Sequence, residues 1–172
     1  GAGGAIHILQ SSLSIEDSSF IGNTAIGATA GNSFGGAISI DGLGGEDGRL
    51  LVTRSLFRDN RAYNSGGAIH LNMYENSSRA EIVASSFESN AVVGGTRAQG
   101  GAIGGGGTSS GGATGNPVIV ISESLFTGNS ARRTAGADGN PREDGSGGAL
   151  AFPQRVRLRI VNSTFEGNPA FG

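Results

Sequence analysis

The feature that most constrains this chain is a two-part motif that recurs five times in fixed register. Its first half reads Gly3-Gly4-Ala5-Ile6, Gly35-Gly36-Ala37-Ile38, Gly66-Gly67-Ala68-Ile69, Gly100-Gly101-Ala102-Ile103 and Gly147-Gly148-Ala149-Leu150. Its second half is centred on Phe20, Phe57, Phe87, Phe126 and Phe165. Three positions after each Phe stands Asn23, Asn60, Asn90, Asn129 or Asn168, and two before it Ser18, Ser55, Ser85, Ser124 or Ser163. Five positions before it comes Ile15, Val52, Ile82, Ile121 or Ile160, and seven before it Leu13, Leu50, Ala80, Ile119 or Leu158. A register kept while the intervening residues vary is the signature of a stacked repeat.

The spacing within each copy is that of strands. Ile6 and Ile8 alternate with His7, and Leu13 and Ile15 with Ser14, a period of two. Between Ile15 and Ser18 the parity of the repeated positions slips by one, which places a corner at Glu16-Asp17. Each copy therefore reads as a rung of three short strands. The Phe-to-Phe intervals are 37, 30, 39 and 39 residues, which suits one turn of a right-handed parallel β-helix. The expected fold is an all-β solenoid of five such rungs, one domain over residues 1–172. Equivalent residues then stack about 4.8 Å apart. The Phe side chains form an internal ladder, the Asn column sits at corners where its tolerance of left-handed backbone is useful, and stacked Asn amides bond from rung to rung. The Gly-Gly pair supplies positive φ and close approach to neighbours.

Composition supports this and removes several functions. Gly supplies 33 of 172 residues, and no Ala/Leu/Glu/Lys run has helical spacing. All 12 basic residues are Arg, which removes Schiff-base and P-loop lysine chemistry, and the absence of Cys removes disulfides and thiolate metal sites. A net charge of −2 gives no footprint for nucleic acid. No apolar run is long enough to span a bilayer as a helix.

The paired G-G-A-[ILV] and F-x-x-N motifs resemble those of the polymorphic outer-membrane proteins of chlamydiae and related bacterial right-handed β-helix proteins. The resemblance covers Gly3 to Asn168. It implies an exported surface protein or adhesin.

Catalysis on such a fold needs carboxylates gathered on adjacent rungs with a basic residue over them. The outward column after the Gly-Gly-Ala strand reads His7, Ser39, His70, Gly104, Ala151, and the corner column reads Asp17, Arg54, Ala84, Glu123, Asn162. Neither gathers acids. Asp17 with Arg54, and Arg58 with Glu88, read as cross-rung ion pairs, and the two histidines as ordinary surface residues. The loops Asp41 to Gly48 and Asp138 to Asp144 leave Ca²⁺ binding open, since they share the composition of calcium loops without the ordered ligand alternation. Neither a catalytic residue nor a cofactor or metal is assigned. Asn76-Ser77-Ser78 and Asn162-Ser163-Thr164 match the glycosylation pattern.

The two ends are in phase: joined head to tail, the Phe165-to-Phe20 and Gly147-to-Gly3 intervals are 27 and 28 residues. The expected partner is therefore the chain itself, stacked head to tail into an extracellular filament with an axial repeat of about 24 Å. Gly3, Gly4, Ala5, Ile6, Leu13, Ile15 and Phe20 form one side of that joint, and Leu150, Leu158, Ile160, Phe165 and Phe171 the other. Leu51, Val83, Val120 and Val161 look outward and suit lateral contacts. The expected location is outside a bacterial or archaeal cell. Two alternatives stay open. One is a segment of a surface adhesin, binding a glycan or protein through the excursions at Gly104 to Gly115 and Ala131 to Ser146. The other is a polysaccharide-active enzyme whose acidic cluster is assembled by loops.

Overall fold

A computed structural model describes residues 2–26, 33–43, 48–74, 77–94, 98–107, 117–133, 145–152 and 155–171. Every named element in it is a strand. Four five-stranded sheets, parallel throughout, run the length of the molecule, and each takes one strand from each rung. This is the right-handed parallel β-helix of five rungs.

The first sheet contains Ile6–Leu9, Ile38–Asp41, Ile69–Met73, Ile103–Gly107 and Leu150–Ala151. The second contains Leu13–Glu16, Arg49–Thr53, Arg79–Val83, Val118–Ser122 and Arg157–Val161. The third contains Ser19–Ile21, Leu56–Arg58, Ser86–Glu88, Leu125–Thr127 and Thr164–Glu166. The fourth contains Thr24–Ala25, Arg61–Ala62, Ala91–Val93, Ser130–Arg132 and Ala170–Phe171. A rung thus has four strands rather than three. The extra one is two or three residues long and turns a single small side chain inward: Ala25, Ala62, Val92 and Ala131 are buried and pair in register. So short a strand shows no alternation of its own. A further column of bridges links Ala2, Phe34, Ser65 and Gln99, and continues where Ala98–Gln99 pairs with Gly145–Ser146.

The core is built from the alternating positions of three sheets. Ile38, Ile40, Leu50, Val52, Ile69, Leu71, Ile82, Ile103, Ile119 and Ile121 pack around Phe57, Phe87 and Phe126. The phenylalanines stack face on face at 4.9, 4.8, 4.7 and 4.6 Å between successive ring centroids, with interplanar angles of 5° or less. Stacking of this kind follows from backbone register, because identical side chains on paired parallel strands have the same direction and height.

Corners are made by left-handed residues at three places in each rung. Asp17, Arg54, Ala84, Glu123 and Asn162 have φ between 44° and 53°. This is the corner that the parity slip at Glu16-Asp17 marks. The residue two after each Phe is also left-handed: Gly22, Asp59, Ser89, Gly128 and Gly167. The Asn column therefore lies one residue beyond the corner, and left-handed tolerance is not its reason. The third place is the first glycine of each pair, with φ of 63–65°. The second glycine answers to a different demand. A Cβ on Gly67 would lie 1.9 Å from the Gly101 carbonyl oxygen of the next rung and 2.6 Å from the Ala91 nitrogen, where its own rung closes its circuit.

Candidate functional site

The repeated polar residues form two ladders inside the corners. Ser55 Oγ donates to the Thr53 carbonyl across the left-handed Arg54, at 2.8 Å, and accepts the Ser18 backbone N–H of the rung before at 3.2 Å. Ser85 and Ser124 repeat the arrangement: their hydroxyls donate to the Val83 and Ser122 carbonyls and accept N–H groups from Ser55 and Ser85. Ser163 closes the series, donating to the Val161 carbonyl and accepting from Ser124. Each hydroxyl thus closes a corner and ties two rungs together.

The asparagines are used fully. Asn60 Nδ2 donates both to Asn90 Oδ1 and to the Phe20 carbonyl, each at 2.9 Å, while its own Oδ1 accepts the backbone N–H and Nδ2 of Asn23. Asn90 and Asn129 repeat this with the Phe57 and Phe87 carbonyls. Asn60, Asn90 and Asn129 are completely buried. Burial of an amide is tolerated when all of its donors and acceptors are paired, as here.

Both ladders have a direction. Every rung donates N–H groups to the rung that follows it in sequence. At rung five, the backbone N–H groups of Ser163 and Asn168 and the second Nδ2 hydrogen of Asn168 have no acceptor among the described residues, whereas Nδ2 reaches back to the Phe126 carbonyl. At rung one, Ser18 Oγ and Asn23 Oδ1 receive no donor among the described residues.

The end rungs are open in apolar terms as well. On rung one, Ile6, Leu13 and Phe20 are half-buried, while Ile15 and the small Ala25 are buried. Gly3, Gly4 and Ala5 lead into that rung, Gly3 with φ 63°. On rung five, Leu158 is 39%, Ile160 44%, Phe165 39% and Phe171 49% exposed, and Leu150 is half-buried. Arg132 lies over the Phe171 ring, 5.9 Å from its centroid. The equivalent phenylalanines of rungs two to four are fully covered.

The two candidate side-chain columns fall in register as the repeat requires, through His7, Ser39, His70, Gly104 and Ala151. His70 is not a surface residue, however. It is buried, stacked on Phe34 with centroids 4.6 Å apart, and its Nδ1 lies 3.1 Å from Ser65 Oγ. Ser65 is brought there by the reversal of the chain at Gly66-Gly67, five residues before the imidazole. Burial pushes His70 down to about 4, against a smaller upward pull from Asp41, so the ring is neutral at pH 7. Close by, Tyr74 donates its hydroxyl to Asp41 Oδ1 and is pushed up to about 12, first by burial and then by that bond.

At the corner column, Arg54 holds Asp17 through Nε at 2.7 Å and also engages Glu16, so the Asp17–Arg54 pair forms with a third member. The guanidinium holds the Asp17 carboxyl below the usual carboxylate range. Arg58 does not bridge to Glu88, its in-register neighbour; it lies 3.8 Å from Asp59. Asp17, Ser19, Arg54, Leu56, Ser86 and Glu88 line an open, polar hollow over this corner.

Asp138 to Asp144, Asn76 and most of the Gly104 to Gly115 tract lie outside the described residues. So do 44–47 of the Asp41 to Gly48 loop, of which Leu43 is buried and accepts a bond from Ser78. Among the described residues no three His, Asp or Glu side chains gather as a metal group, and no helix is long and apolar enough to cross a membrane.

No curated protein and no solved structure matches the chain. Residues 54–72, which run from the corner Arg54 through Phe57 and Asn60 of rung two to Gly66-Gly67-Ala68-Ile69 of rung three, match the Chlamydia polymorphic membrane protein (Chlamydia_PMP) repeat, and both half-motifs recur in all five rungs.

Proposed function

We propose that this chain is an exported, non-enzymatic structural protein of the cell surface, a β-solenoid that stacks head to tail with further copies of itself into an extracellular filament. The observation that carries this reading is the polarity of the two ladders. Among the described residues, rung five offers unpaired N–H donors at Ser163 and Asn168, and rung one offers unpaired acceptors at Ser18 Oγ and Asn23 Oδ1. Rung five placed on rung one extends both ladders, the Phe stack and the core. Rung one placed on rung one sets acceptor against acceptor. A contact of this kind is heterologous and does not close, so it propagates. The likeness of residues 54–72 to a repeat of a bacterial surface family supports the location. The residues that recur five times are those that hold rungs together, which supports a structural role.

The same likeness favours a second reading, in which these rungs are a stretch of a longer surface adhesin and rungs one and five sit on neighbouring rungs of one polypeptide. Negative-stain electron microscopy of the unfused chain separates the two. Filaments with an axial repeat of about 24 Å support self-stacking, and monodisperse short particles support the adhesin stretch. Cysteine variants test the direction. Ser19→Cys and Thr164→Cys occupy the same column on rungs one and five, within disulfide reach across one rung spacing. A mixture of the two is expected to give 19–164 cross-links only; 19–19 or 164–164 products reject the head-to-tail order.

A further inference from the structure

The second sheet presents an outer face whose residues are fixed by register. Its first column contains Arg49, Arg79, Val118 and Arg157 in successive rungs. Its second contains Ser14, Leu51, Glu81, Val120 and Arg159. Arg49, Arg157 and Arg159 are exposed, and none has a carboxylate within 4.0 Å among the described residues. Arg79 gives its Nε to Glu81 at 2.6 Å and remains 41% exposed.

This arrangement is unfavourable for the chain alone. Arg49 and Arg79 are directly paired on adjacent strands, and like charges directly opposite destabilise a sheet. Within these two columns Glu81 stands against four guanidinium groups. The column also has a spacing: its arginines are one rung and then two rungs apart, about 4.8 and about 9.6 Å along the axis. Guanidinium groups bind carboxylate and sulfate oxygens in a bidentate manner. Beside them, Leu51, 38% exposed, and the half-buried Val120 stand on either side of Glu81 in the second column and offer two apolar patches that suit the C–H faces of sugar rings. Neither column contains an aromatic residue on which nucleobases could stack.

We propose that this face binds an acidic polysaccharide laid along the solenoid axis. The carboxylate or sulfate groups of the polymer meet Arg49, Arg79, Arg157 and Arg159, and its rings lie against Leu51 and Val120. The site lies on the side of the solenoid, so it is independent of whether rungs one and five stack on other copies.

Binding of the unfused chain to immobilised polygalacturonate, dextran sulfate and neutral dextran, measured at low and moderate salt, tests the site. Retention on at least one of the acidic polymers and none on dextran is expected, and the stronger arm identifies carboxylate or sulfate as the preferred group. The triple variant R49Q/R157Q/R159Q is expected to lose at least about tenfold in affinity and to show a shallower salt dependence. Arg61→Gln, on the fourth sheet, is expected to bind as wild type. If the triple variant does not melt like wild type, R49Q and R159Q are compared singly, each with a loss of about threefold expected. Absence of retention on both acidic polymers, equal affinity of wild type and substituted chains, an equal loss in R61Q, or tighter retention on duplex DNA overturns the proposal.

Discussion

Asn90 gives two hydrogens to one atom: its backbone N–H and its side-chain Nδ2 both donate to Asn129 Oδ1, at 3.1 and 2.9 Å. The other Nδ2 hydrogen reaches back past Asn60 to the Phe57 carbonyl. One buried amide therefore joins three rungs. Asn90→Ala removes the acceptor of Asn60 and the donor to Phe57 in a site with no access to water. A loss on the order of 2–4 kcal/mol is expected from several unpaired buried groups, measured by chemical denaturation. Asn90→Asp, similar in shape, is expected to be at least as damaging at pH 7, because the new oxygen faces Asn129 Oδ1 and the Phe57 carbonyl.

The Phe ladder predicts a dependence on position. Phe87 is fully buried between two rings, so Phe87→Ala is expected to cost about 3–5 kcal/mol. Phe165 is 39% exposed and stacks on one ring, so Phe165→Ala in the monomeric chain is expected to cost clearly less. If rung five is covered in filaments, the two costs converge there, which comparative melting of monomer and filament reads directly.

Glycines divide into two kinds. Gly67→Ala drives a methyl group into backbone atoms of its own and the next rung and is expected to prevent folding or lower the melting temperature drastically. Gly128→Ala meets nothing closer than 3.5 Å and pays only for a left-handed backbone at φ 63°, about 1 kcal/mol. The order of the two melting temperatures checks the distinction.

His70 gives a pH dependence. Its folded value is pushed down to about 4 by burial, against about 6.5 in the unfolded chain. Between these values the unfolded chain binds the proton and the folded one does not, so stability falls as pH drops from about 6.5 towards 4. The loss is on the order of 2–3 kcal/mol at the acid end. Denaturation midpoints across that range are expected to fall for wild type and to flatten in His70→Gln, after the sloping contribution of carboxylates common to both is subtracted.

The rungs were legible in the sequence because their positions are defined by strict columns: Phe, Asn and Ser recur at fixed offsets, and in-register pairing such as Phe87 with Phe126 turns an offset into a contact. The fourth strand also left a trace, the small residue five after each Phe, but one Ala gives no alternation to read. Of the two reasons for the Asn column, rung-to-rung amide bonding holds, whereas left-handed tolerance does not, since the left-handed residue is its predecessor. The burial of His70 was hidden because column parity reports which side of a strand a residue takes. It does not report that Phe34 and Ser65, from the bridge column upstream of the glycines, cover that side.

Between Leu13 and Ala25 and their counterparts, every rung spends the same number of residues on the second, third and fourth sheets. All variation in circumference, from 30 residues to 39, falls in two seams: between the first and second strands, and between the fourth strand and the next glycine pair. The chain is thus a frame with two editable margins. In the second margin, only Tyr63, Asn64 and Ser65 separate the fourth strand of rung two from Gly66, the shortest text that margin holds. Foreign peptides written into either margin would be displayed at regular axial intervals, while the hydrogen-bonded spine that reads from rung to rung stays unaltered.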